Sequence, residues 1–109
     1  MIFPEKLDVL AVHAILIGET GGTSGLRDDA LLESALAAAE NRHHYEAADV
    51  VSCAATYAYH LTQSHAFFDG NKRVGAAITE AFLETNERIN NDTLFPYTTL
   101  FRSDRKSVV

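Results

Sequence analysis

The chain has 109 residues, 47% of them apolar and 22% charged, and a net charge of −6. That length builds one domain around one hydrophobic core. The acidic balance argues against nucleic acid as a partner, because no basic stripe exists to displace counterions from a phosphate backbone.

The longest apolar window, Ala11 to Ile17, is short and interrupted by His13, so no membrane span is expected. Met1-Ile2-Phe3-Pro4 lacks the basic start and long apolar run of a secretory signal. The single Cys53 cannot form an internal disulfide and is expected as a small buried filler in a reducing compartment. A cytoplasmic protein is the default expectation.

In chain order, the first helix is expected from about Pro4 to Ile17, with Leu7, Leu10, Ala11 and Ala14 on its buried face and Pro4 opening it. Residues 18–25 are glycine-rich and are expected to form a flexible break. They lack the Lys-Ser/Thr of a phosphate-binding P-loop. A second helix is predicted to start near Asp28, whose carboxylate can cap it, and to bury Leu32, Ala35, Leu36 and Ala39 before ending in the polar run Asn41 to His44. The third, from about Ala47 to Ser64, is apolar on nearly every side (Val50, Val51, Cys53, Ala54, Ala55, Ala58, Leu61), the pattern of a central helix wrapped by its neighbours. The fourth begins at Asn71 and carries Val74, Ala77, Ile78, Ala81 and Phe82 at regular helical spacing. The fold class is therefore all-α.

The tail from Asn91 to Val109 has no helical stripe and a charge of +1, whereas the first 90 residues carry −7 from six basic and thirteen acidic residues. Phe95 to Phe101 leans towards extended structure, but a lone strand has nothing to pair with.

The chemistry concentrates between the third and fourth helices, in His65-Ala66-Phe67-Phe68-Asp69-Gly70-Asn71-Lys72-Arg73. An imidazole, a carboxylate, an amide and two cations fall within nine residues that end at a helix N-terminus. Such a terminus presents unpaired N–H groups and a partial positive charge, which suits an anion. Lys72 and Arg73 are badly placed for the helix dipole unless an anion sits among them. His65 suits a proton acceptor from a hydroxyl. Asp69 suits a Mg²⁺ ligand or a helix cap, and Gly70 allows close backbone approach. Asn71 can donate to a phosphate or fix the loop, and Phe67 is expected to anchor the loop in the core.

Residues 65–73 resemble the signature of the Fic and Doc (Fido) family, H-x-F-x-(D/E)-G-N-(G/K)-R, at every defined position. The run Gly22 to Asp28, followed by Leu31 to Leu36, resembles Doc-like (death-on-curing) members, and the resemblance covers about residues 4–90. It implies an all-helical bundle using ATP and Mg²⁺. His65 would be the base acting on a protein hydroxyl and Asp69 the metal ligand. Asn71 and Arg73 would hold phosphates, with Gly70 and Lys72 beside them.

Many members that transfer AMP carry a second arginine three residues after the first, and Ala76 stands there in this chain. Lys72 with Ala76 is similar to the Doc branch, toxins that phosphorylate a threonine of elongation factor Tu, stop translation and are restrained by a small antitoxin protein. The intramolecular inhibitory motif (S/T)-x-x-x-E-(G/N) of some relatives is not found, since Ser34 lies too far from Glu40-Asn41. Restraint would then fall to a separate antitoxin. The resemblance thus implies a protein kinase, with AMP transfer and a catalytically silent binding module as alternatives. Doc-like relatives continue with further helical chain that closes the bundle, so the domain is expected over residues 1–90 and C-terminally truncated. The abrupt change in charge and periodicity marks 91–109 as an atypical tail, expected to be foreign to the domain through a frameshift, a truncation or joined non-native sequence.

Outside the motif, His43, His44 and His60 lack a Cys or carboxylate at ligand spacing and are expected to decorate a helix exit. Tyr57 and Tyr59 are expected to pack against helices. Phe68 is a candidate contact for the target or the antitoxin.

Overall fold

A computed structural model describes residues 1–87; the tail expected to be atypical lies outside the described residues. Four helices follow in order: α1 (Lys6–Thr20), α2 (Asp29–Glu46), α3 (Val50–Gln63) and α4 (Asn71–Glu87). The described residues form no strand, only an isolated antiparallel bridge between Leu26 and Phe67. The all-α expectation therefore holds. No helix among the described residues is long and apolar enough to cross a membrane.

Asp28 starts α2 by accepting the N–H of Leu31 at 3.1 Å, and Asp49 starts α3 by accepting that of Ser52 at 2.8 Å. Each thereby satisfies an N–H group that helix geometry leaves without a partner. α3 lies between α2 and α4, while α1 packs chiefly on α4. The predicted stripes of α2 (Leu32, Ala35, Leu36, Ala39) and α4 (Val74, Ala77, Ile78, Ala81, Phe82) are all buried. Tyr57 of α3 meets Phe82 edge to face at 5.1 Å, joining the two helices at the centre of the core. Gly75 lets α4 approach α3 closely, since a Cβ there would come within 2.7 Å of Thr62 Oγ1.

Three expectations need correction. α1 buries Asp8, Val9, Val12 and His13, and Leu7 is 71% exposed. Apolar residues surround this helix, so periodicity alone does not select a face. Gly18 lies inside α1, which runs on to Thr20, and the break narrows to residues 21–25. α3 is central but not wrapped: Val51 (59%) and Tyr59 (63%) stay exposed on one face, with nothing over them among the described residues. Cys53 is fully buried, and burial pushes its thiol above the usual value.

Candidate active site

Ser64 caps the C-terminus of α3, and His65 turns the chain with a left-handed φ of 54°. A side chain in that region is disfavoured, so the neighbours must impose it. They do so through the segment that leads into α2. Arg27 donates Nε–H to His65 O at 2.7 Å, and the N–H groups of Arg27 and Asp28 both donate to Ala66 O (2.7 and 2.9 Å). Phe68 N–H donates to Gly25 O at 3.3 Å. The loop after α3 is thus laid antiparallel along residues 25–28.

Beneath the loop, Phe67 is buried, and its ring stacks on that of His13 with centroids 3.8 Å apart. Asn71 braces the loop from the other side: its Oδ1 accepts Phe67 N–H at 3.1 Å and its Nδ2 donates to Phe67 O at 3.0 Å. Of the two roles considered for Asn71, fixing the loop is the one seen here, and the amide nitrogen keeps a second hydrogen. The Asp69 carboxylate does not cap the first turn of α4. Its Oδ1 accepts Gly70 N–H (3.0 Å) and its Oδ2 accepts Thr23 N–H (3.2 Å). Gly22 makes room for that carboxylate, because a Cβ at residue 22 would lie 2.7 Å from Asp69 Oδ2.

The result is one open hollow of about 590 Å³, with His65, Asp69, Gly70, Asn71, Lys72 and Arg73 all on its walls, together with Thr62, Gln63 and Phe68. Lys72 and Arg73 are exposed, and neither has an ion-pair partner among the described residues. A family model for the Fic/DOC family matches residues 4–83, a span that contains the entire hollow. The chain belongs to the Fic/DOC family. Members generally transfer nucleotide-derived groups to proteins, commonly with ATP and Mg²⁺. No curated protein matches this chain.

The donor set fits what the Fic/DOC family uses. The hollow falls in the usual size range of small-molecule sites, about 300–1,000 Å³. Each Asp69 oxygen accepts one N–H and retains a lone pair for a cation. No cluster of three or more His, Cys, Asp or Glu side chains occurs among the described residues. A lone carboxylate matches Mg²⁺, which takes one or two carboxylates and completes its shell from phosphates and water. Such an ion supplies charge neutralisation on phosphate oxygens when bound.

Four residues of the site carried no role in the sequence reading. Thr62 and Gln63 end α3 on the wall of the hollow, and Arg27 holds the His65 carbonyl. His13 stood out only as a break in an apolar window. A histidine inside such a run is itself a signal, since burial obliges it to find a polar partner. His43 Nδ1 pairs with Ala48 O at 3.0 Å and its ring meets Phe3, which accounts for it at the end of α2. Phe68 is 58% exposed at the lip of the hollow, and Tyr59, expected against a helix, faces outward.

Proposed function

We propose that the chain is a Doc-like toxin that transfers the terminal phosphate of ATP to a hydroxyl of a target protein in the cytoplasm. By resemblance the target is a translation factor of the elongation factor Tu kind, and a separate antitoxin protein restrains the toxin. The observation that carries this reading is the shared hollow: His65 lines it together with the basic N-terminus of α4, whose Lys72 and Arg73 have no ion-pair partner among the described residues.

In the proposed reaction, Lys72, Arg73 and the first N–H groups of α4 hold phosphate oxygens, and Asp69 would hold a Mg²⁺ ion that neutralises their charge. His65 takes the proton of the target hydroxyl, whose oxygen bonds to the γ-phosphorus. The bond from that phosphorus to the bridging oxygen breaks, and ADP leaves with its electron pair. Support for phosphate over AMP transfer comes from Ala76, exposed on the next turn of α4 at the position where many AMP-transferring relatives carry a second arginine.

The test is transfer from ATP labelled at either the γ or the α position. Label on the target from γ-labelled ATP alone is the expected result. Label from the α position sinks the kinase reading in favour of AMP transfer.

A further inference from the structure

His13 is 4% exposed and remote in sequence from the motif, yet its Nε2 lies 2.7 Å from the carbonyl oxygen of Asp69. A carbonyl oxygen only accepts, so Nε2 carries the hydrogen. That carbonyl belongs to the peptide joining Asp69 to Gly70, which is trans like every peptide described. Its N–H therefore points away from its C=O, and that N–H is the one Asp69 Oδ1 accepts at 3.0 Å. A single rigid plane thus has the His13 imidazole at one edge and the Asp69 carboxylate at the other.

Gly70 sits at φ 80°, and glycine accommodates either sign of φ, so the residue types alone leave this peptide open to flipping. We propose that His13 is a positioning residue that sets the Asp69 carboxylate by holding the 69–70 peptide plane. The inference rests on the reading of Asp69 as the Mg²⁺ ligand. The stack of His13 on Phe67 fixes the imidazole, so α1 aims the ligand without touching the hollow. Outer partners of this kind commonly change metal affinity when removed.

The experiment compares His13→Phe, which keeps the ring stack but has no N–H, with His13→Gln, which keeps a donor. Two readouts are taken: hydrogen exchange of the Gly70 amide in the ligand-free protein, and calorimetric ATP binding with and without Mg²⁺. In H13F, Gly70 exchange is expected to quicken about 10-fold and the Mg²⁺-dependent gain in ATP affinity to fall about 10- to 100-fold, with Mg²⁺-free ATP binding within about twofold. H13Q is expected to keep both readouts close to those of the natural chain. Should H13F fail to fold, His13→Met, similar in volume to Gln but without a donor, serves the same comparison.

Unchanged Gly70 exchange and an unchanged Mg²⁺ gain in the donor-free variant overturn the role of His13. ATP binding indifferent to Mg²⁺ in the natural chain instead overturns Asp69 as ligand, and Gly70 exchange then still reports on His13 by itself.

Discussion

His65 is held at φ 54° although its own side chain disfavours that region by about 1–2 kcal/mol. The bond from Arg27 to its carbonyl offsets that strain and leaves the imidazole facing the hollow. Because the side chain is exposed, His65→Ala removes a proton acceptor without opening a cavity. Transfer of labelled phosphate is expected to fall about 100- to 10,000-fold, the usual worth of a general base. The urea midpoint is expected to stay in place, and undiminished transfer would remove His65 from the chemistry. Tyr57 gives the opposite case. Its hydroxyl is buried with no hydrogen-bond partner among the described residues, and burial pushes the phenol well above its usual value. Tyr57→Phe deletes a polar atom that lost its water without gaining a partner. A stabilisation of about 1 kcal/mol is expected in urea denaturation, and a loss of stability would mean that the hydroxyl has a partner after all.

At the scale of elements, the caps connect sequence to pH response. The Ser52 N–H holds the Asp49 carboxyl below its usual value of 3.8. A lowered carboxylate contributes stability that is fully present above the usual value and is lost as pH falls through the lowered one. Asp49→Asn keeps an acceptor for the same N–H but does not titrate. As pH falls below about 4, its urea midpoint is expected to fall less steeply than that of the natural chain. Parallel slopes would show that this carboxylate does not feel the fold. The same contrast between local and distributed signals explains which helices were legible. α4 carries polar residues on one side, so its stripe at Val74–Phe82 could face only inward, and in α2 the larger Leu32 and Leu36 mark the buried side against exposed Ala30 and Ala37. α1 is apolar nearly all round, and α3 pairs a stripe of Ser52, Thr56, His60 and Gln63 with apolar residues that also reach solvent, so partners distant in sequence choose their faces. For α1 the deciding contacts are Phe67 and the Asp69 carbonyl, both met by His13. For α3 they are α2 on one side and α4 on the other, which leaves Val51 and Tyr59 outside.

Across the molecule, the candidate site was legible as nine consecutive residues because its groups are local: one loop and one helix start bring them to one hollow. The supports were not, because Thr23, Gly25, Arg27 and His13 reach the loop from elsewhere in the chain. Opposite this end, the chain closes on itself. Asn86 accepts Ile2 N–H at 2.7 Å and donates to Ile2 O at 2.9 Å, while Phe3 stacks on Phe82 at 6.0 Å. One amide thus holds both the N–H and the carbonyl of Ile2, 84 positions earlier in the chain. It lies fifteen residues along α4 from Asn71, about 22 Å from the hollow at 1.5 Å per residue. Asn86→Ala breaks this clasp and is expected to lower stability by about 1–3 kcal/mol in urea denaturation. Asn86→Asp keeps the acceptor for Ile2 N–H but loses the donor, so an intermediate loss is expected. ATP affinity measured by calorimetry on the folded protein should change by less than about twofold in both, since mutations this far apart with no shared partner act independently. A parallel loss of ATP affinity would show that the clasp and the hollow are coupled through α4, and that the helix start is not set by its own loop alone.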